Sequence, residues 1–202
     1  YISGESATPE ELKAFGLRYK KLIAQSLIEY NRKQFISKFP PNTGSIRHLL
    51  DMFPQAKFVY IYRNPVLVFQ STVNFFFSSH EALMLQPFSS AEFEEMVFEL
   101  YEMIIKDYER LKSLIPADHL VEIRYEDFEA DPLIGLRNIY ERLELDGFEQ
   151  SIPAFTDYFN SQKKFEKASH QFTPEEIERI TSRWRFAMEM YGYAMPEQMS
   201  TK

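Results

Sequence analysis

Apolar positions recur along this chain with two periods, and capping residues and prolines mark where one period gives way to the other. Thr8-Pro9-Glu10-Glu11 supplies an N-cap hydroxyl, a proline at the first helical position and a glutamate at the third. Leu12, Phe15, Tyr19, Leu22 and Ile23 follow at helical spacing, so a long helix is predicted to about Tyr30. The short run Phe35-Ile36-Ser37-Lys38, closed by Pro40-Pro41, reads as a strand that ends in a loop. A brief helix over residues 45–53 turns Ile46, Leu49 and Leu50 inward. Residues 57–62 form a continuous β-prone run of the kind found in strands covered on both faces, and it stops at Arg63. Asn64 then suits an N-cap and Pro65 the first position of a helix.

The remaining punctuation continues the alternation. Ser89 and Glu92 form a possible capping box for a helix over residues 89–114 with Phe93, Met96, Val97, Leu100, Ile104 and Leu111 inward. Residues 120–125 are a third strand, ending at Tyr125. Asp131-Pro132 opens a helix through Leu136, Ile139, Tyr140 and Leu143. Thr173-Pro174-Glu175-Glu176 caps a last helix carrying Ile177, Ile180, Trp184, Met188 and Tyr191 on one face. Three short apolar strands separated by helices, without internal repeats, indicate an α/β architecture with a mostly parallel sheet.

Composition narrows the function classes. The 202 residues are 45% hydrophobic and 16% aromatic, enough for one domain with a sizeable core. No apolar run reaches the roughly 20 residues that span a bilayer, and no signal peptide precedes the first helix. Without cysteine there is no disulfide framework and no thiolate metal site, and the four histidines make no metal-like cluster with carboxylates, so no metal is expected. A net charge of −7 argues against a broad nucleic-acid surface while leaving room for a local cationic pocket. The lack of cysteine and of a targeting segment makes the cytoplasm the expected location.

Arg63 carries the sharpest candidate chemistry. It ends a strand beside a helix N-terminus, the address at which open parallel sheets bind anions. A solvated or salt-bridged strand-end arginine is the ordinary alternative. Lys38 either closes a strand in water or faces a ligand, Tyr125 is either a core aromatic or a contact, and Lys163, Lys164 and Lys167 also fit a solvated face.

Taken in order, these segments resemble the sulfotransferases that use 3′-phosphoadenosine 5′-phosphosulfate (PAPS), most closely the bacterial members. The resemblance covers most of the chain. It is strongest in KFPPNTGSIRHLLDMFPQAKFVYIYRNPVLVFQST, residues 38–72, and continues in RYEDFEADPLIGLRNIYERLEL, residues 124–145, and in the final helix with Trp184 and YGY at 191–193. It implies a P-loop NTPase-like sulfotransferase fold, with a central mostly parallel sheet flanked by helices, in a single domain over residues 1–202. It gives Arg63 and Ser71 the donor's 3′-phosphate, Tyr125 the adenine, and Lys163 and Lys164 the late basic loop over the 3′-phosphate. Lys38 would neutralise charge on the bridging oxygen as the sulfuryl group leaves. The family needs no metal.

Two departures accompany the match. Pro40 stands where cytosolic relatives carry a catalytic histidine, which leaves the base unassigned; His80 is a weak candidate, and His48 is expected on a supporting helix. The family's first strand and phosphate loop are missing: glycines at 4, 16, 44, 135, 147 and 192 offer no Gly-rich strand-to-helix turn, so that loop is expected upstream of Tyr1. The aromatic residues 75–88, with Phe76, Met84, Leu85 and Phe88, either line a pocket for an apolar alcohol, phenol or lipid acceptor or pack in the core. A P-loop-type small-molecule kinase and a noncatalytic nucleotide-binding remnant remain the alternatives. The kinase is the weaker, because no aspartate ends the 57–62 strand to hold magnesium.

Overall fold

Capping chemistry sets the helix starts in the computed structural model, which describes residues 7–32, 34–80, 89–162 and 173–194, with the backbone alone at 77–80. Thr8 accepts the Glu11 N–H at 3.2 Å while the Glu11 carboxylate accepts the Thr8 N–H at 2.8 Å, opening α1 (Pro9–Glu29). Thr173 and Glu176 repeat the arrangement at α8 (Pro174–Arg183), and Ser89 and Glu92 do so ahead of α4 (Ser90–Leu111). Each such cap contributes about 1 kcal/mol by satisfying N–H groups that have no partner inside the helix.

The chain divides into two compact units, Tyr1–Phe58 with Met103–Leu120, and Val59–Glu102 with Val121–Lys202. In the first, α1 lies against α2 (Ile46–Met52). Gly16, the one buried residue of α1, makes the approach possible, because a Cβ there would stand 3.3 Å from Met52 Cγ. Tyr19 sets its ring edge-on to Phe53 at 6.2 Å and Lys20 lies over the same ring. Ile46, Ile105, Tyr108, Leu111 and Ile115 are the buried apolar side chains of this unit.

Residues 35–38, expected as a strand, do not form one. The described sheet has two strands and neither includes them. Ile36 is 83% exposed, Phe39 is extended (φ −150°, ψ 103°), and the chain passes directly into a 3₁₀ turn, Pro40–Gly44. An extended run needs a neighbour for its ladder, and two successive prolines remove the N–H donors that would continue one.

The second unit contains the parallel pair β1 (Phe58–Tyr62) and β2 (Leu120–Arg124), each apart from its first residue. α3 (Pro65–His80) leaves β1, and α5 (Tyr125–Ala130) leaves β2. Burial alternates along both strands. Val59 and Ile61 are 42% and 50% exposed, so β1 is covered on one face and not on both as its composition suggests. Val121 and Ile123 of β2 are buried with Ile139 of α6 (Pro132–Arg142) and with Leu143. A larger core joins Val66 and Phe69 of α3, Phe93, Val97 and Phe98 of α4, and Ile180, Trp184, Ala187 and Met188.

Trp184 organises that core. It is fully buried, stacks on Tyr101 at 3.9 Å and donates its indole N–H to the Phe98 carbonyl at 3.3 Å. It also interrupts the last helix: at φ −106° and ψ 26° it separates α8 from α9 (Arg185–Met190), where a single helix is expected from the sequence. Met96, expected inward, is 44% exposed, and Phe98, Ile105 and Tyr108 are buried on α4 along with the expected Phe93, Val97 and Leu111. Two helices were hidden in the sequence. α5 follows β2 without a gap, so that Tyr125 is its first residue and not the last of the strand, and α7 (Phe148–Gln162) carries Pro153 in its interior.

Candidate functional site

Because β1 and β2 are parallel, both finish at the same edge of the sheet, and the residue that follows each strand is presented there. After β1 that residue is Arg63; after β2 it is Tyr125. The Arg63 guanidinium carbon lies 4.5 Å from the centroid of the Tyr125 ring, a cation–π stack formed by residues far apart in the chain. Asn64 caps α3, its side-chain oxygen accepting the Val66 N–H at 2.9 Å, and the buried Pro65 starts the helix. Pro65 has no N–H and the Val66 and Val68 N–H groups are bonded to Asn64, so a capped helix begins two residues after Arg63.

Two carboxylates, Glu126 and Glu129, bond to Asn64 and Tyr125, the neighbours of Arg63, and neither makes a described ion pair with Arg63 itself. The Arg63 Nε is buried and has no hydrogen-bond partner among the described residues, and no ion pair described involves it. Arg124, one residue before Tyr125, shares the buried Nε without a hydrogen-bond partner among the described residues and differs in having an acid within ion-pair distance. It stacks on Tyr193 at 4.4 Å, and its Nε lies 3.5 Å from the Glu126 carboxylate. Among the described residues, Arg124 makes an ion pair and Arg63 stacks on a ring.

Glu126 holds the frame together. It accepts the Tyr193 hydroxyl at 2.7 Å and the Asn64 N–H at 3.3 Å, tying the β1–α3 turn to the chain beyond α9. Burial alone would raise its pKa. The hydrogen bonds from Tyr193 and from the Glu126 and Asn64 N–H groups, with the Arg124 charge, outweigh that and hold the carboxyl below the usual glutamate value. Tyr193 is shifted upward by burial and by its bond to Glu126. The Tyr125 hydroxyl donates to Glu129 at 2.6 Å, a bond that raises its pKa and fixes the ring in its protonated form. Tyr191 stacks on Tyr62 at 4.7 Å and shares a 2.7 Å hydroxyl contact with Tyr60.

Of the residues expected at a site, the structure brings Arg63 and Tyr125 together. Ser71 is exposed on α3, about 9 Å farther along the axis than Pro65 at 1.5 Å per residue. Lys38 is exposed in the first unit. Lys163, Lys164 and Lys167 lie outside the described residues, as do the side chain of His80 and residues 81–88. His48 is half-buried on α2, on a supporting helix as expected. Glu126 and Tyr193 were missed as supporting residues. The available signal was an acid two residues after a strand-end arginine, together with a Tyr-Gly-Tyr run following the last helix. Among the described residues no group of His, Cys, Asp or Glu could hold a metal ion.

The chain is therefore a helix-rich α/β protein with an arginine and a tyrosine at the ends of two parallel strands. The sequence pattern of the sulfotransferase family matches residues 5–150, and the chain belongs to that family. Among curated proteins it is similar to the omega-hydroxy-beta-dihydromenaquinone-9 sulfotransferase Stf3 of Mycobacterium bovis and to that of Mycobacterium tuberculosis. Each is 28% identical over 193 residues, which are 96% of this chain and 50% of the relative. The chain spans about half the length of the curated relatives it matches. No solved structure matches it.

Proposed function

We propose that this chain carries the nucleotide-gripping part of a PAPS-dependent sulfotransferase acting on the hydroxyl of an apolar, lipid-like acceptor. The observation that carries the reading is the Arg63–Tyr125 pair: a cation with a buried, unpartnered Nε, stacked on an aromatic ring at the carboxyl edge of a parallel sheet. A guanidinium left without a carboxylate suits a bidentate phosphate ligand, and the ring offers a flat apolar face to a purine. Family membership supports the transferase class. The acceptor class rests on the relatives, whose name specifies an omega-hydroxylated menaquinone.

PAPS supplies an activated sulfuryl group, whose bond to the bridging phosphate oxygen breaks as the acceptor oxygen bonds to sulfur. The chain's contribution is positioning and charge. Arg63, with the Ser71 hydroxyl, holds the 3′-phosphate; Tyr125, fixed by Glu129, bears the adenine; Lys163 and Lys164 add positive charge over the same phosphate. Lys38 meets the negative charge that grows on the leaving oxygen. Glu126 positions the Arg63 turn through the Asn64 N–H.

Thermal-shift titration tests the reading. 3′-Phosphoadenosine 5′-phosphate at about 100 times its Kd should stabilise the chain by about 2.7 kcal/mol, and ATP with magnesium should not. Arg63→Ala should abolish the response. Equal stabilisation by ATP, or an undiminished response in the variant, overturns the assignment.

A further inference from the structure

α1 has two apolar sides, and only one of them is packed. At 3.6 residues per turn, Leu12, Gly16, Tyr19, Ile23 and Leu27 fall on one side, and these are its buried or half-buried apolar positions and glycine. The exposed Phe15 and Leu22 lie on one flank of that side; beyond the other flank, about 120° from its centre, Leu17, Ala24 and Ile28 fall together in the register of Glu10. All three are exposed, Leu17 to 64% and Ile28 to 79%. The same spacing puts Lys13 and Lys20 along one flank of this second stripe and Lys21 along the other. Single exposed leucines are ordinary, but an apolar stripe with lysines on both borders is a pattern.

Charge identifies what covers it. From the start of α1 at Pro9 to Lys38 the sequence has seven lysines and arginines and three acids, Glu10, Glu11 and Glu29, in a chain whose net charge is −7. Exposed apolar side chains share this basic stretch: Tyr30 and Ile36, exposed to 67% and 83%, lie within it, and Phe39, exposed to 59%, follows it. Two copies packing stripe on stripe would set lysine against lysine. An anionic surface with an apolar interior satisfies both features. Among the described residues no helix is long and apolar enough to cross a membrane, so the contact this helix can make is in the interfacial plane.

We propose that α1 docks on an anionic phospholipid surface. It lies flat along its length of about 31 Å, with Leu17, Ala24 and Ile28 in the acyl boundary and Lys13 and Lys21, on opposite flanks, extended to the phosphates. A cleft of about 280 Å³ between α1 and α2, lined by Leu12, Phe15, Leu17 and Met52 among others, opens beside the stripe. The inference goes beyond the proposed transferase chemistry and stands independently of it.

Co-sedimentation of the purified chain with vesicles tests it, with no donor or acceptor present, so that failure here leaves the nucleotide reading untouched. Vesicles containing about one-third phosphatidylglycerol in phosphatidylcholine should bind the chain, pure phosphatidylcholine should bind it about tenfold less or not at all, and added salt should release it. Leu17→Gln with Ile28→Gln, both at exposed positions, should weaken binding at least about tenfold without changing the circular dichroism. Lys13→Gln with Lys21→Gln, one lysine from each flank, should weaken it about tenfold or more. No binding, equal binding to neutral vesicles, or retained binding in either variant overturns the proposal. So does self-association that the Leu17/Ile28 variant abolishes in a chain that ignores vesicles.

Discussion

Arg63 and Arg124 stand at the ends of neighbouring strands, each over a tyrosine ring at about the same distance, yet their surroundings give them different work. Glu126 lies 3.5 Å from Arg124, whereas no described ion pair reaches Arg63. The glutamate also makes a pH prediction. Its folded pKa lies below the ordinary 4.5, so its bonds stabilise the fold fully above that pH and are lost as pH falls through the lowered value. Glu126→Gln should therefore lower the melting temperature near neutrality, and the gap from the unmodified chain should shrink in acid below about pH 4.5. A gap that is constant from neutral to acid pH would show that Glu126 is not held as an anion. Arg63 could be picked out in the sequence because a cation after a β-prone run, followed by Asn-Pro, is an anomaly against local pattern. The role of Glu126 could not. Its partners, Asn64 and Tyr193, are 62 and 67 residues away, and no periodicity reports a bond of that separation.

At the scale of elements, local signals were decisive wherever the determinant was local. Thr8, Ser89 and Thr173, each three residues ahead of a glutamate, set their helices as the sequence indicates. What failed depended on neighbours. Residues 35–38 have strand composition but pair with no strand among the described residues, and α7 was obscured by Pro153, a residue that ordinarily argues against a helix. Trp184 fits a helical stripe in sequence, but its contacts with Tyr101 and the Phe98 carbonyl favour a local break. Between α5 and α6 the constraint is steric: a Cβ on Gly135 would lie 2.5 Å from Phe128 Cδ2. Gly135→Ala should destabilise the second unit by about 1–3 kcal/mol through overpacking, measured by urea denaturation. Gly135→Ala combined with Phe128→Leu should recover part of that loss. A neutral single variant would mean that the Phe128 ring moves aside at little cost.

For the whole molecule, charge is unevenly divided. A net −7 repels an anionic donor at long range, and the nucleotide must be attracted locally. Binding of 3′-phosphoadenosine 5′-phosphate should weaken roughly tenfold between about 0.05 and 0.5 M salt, as expected of a partly exposed cation reading a phosphate. Salt-independent affinity by isothermal calorimetry would point to binding through the ring alone. The α/β class and its parallel order were legible because the alternation of strand and helix survives in the pattern. That the described sheet has only two strands was not, since strand composition specifies a preference and pairing decides the outcome.

The Tyr-Gly-Tyr run after α9 extends this point to the end of the described chain. Gly192, at φ 66°, turns the backbone so that Tyr191 reaches β1 through Tyr62 and Tyr60, while Tyr193 reaches Arg124 and Glu126 beside β2. Three consecutive residues thus act as a clasp on two strand termini that are themselves 62 positions apart. Trimming the protein just before this clasp would unfasten both termini in one stroke, so nucleotide recognition would fade even though the deleted residues never meet the nucleotide.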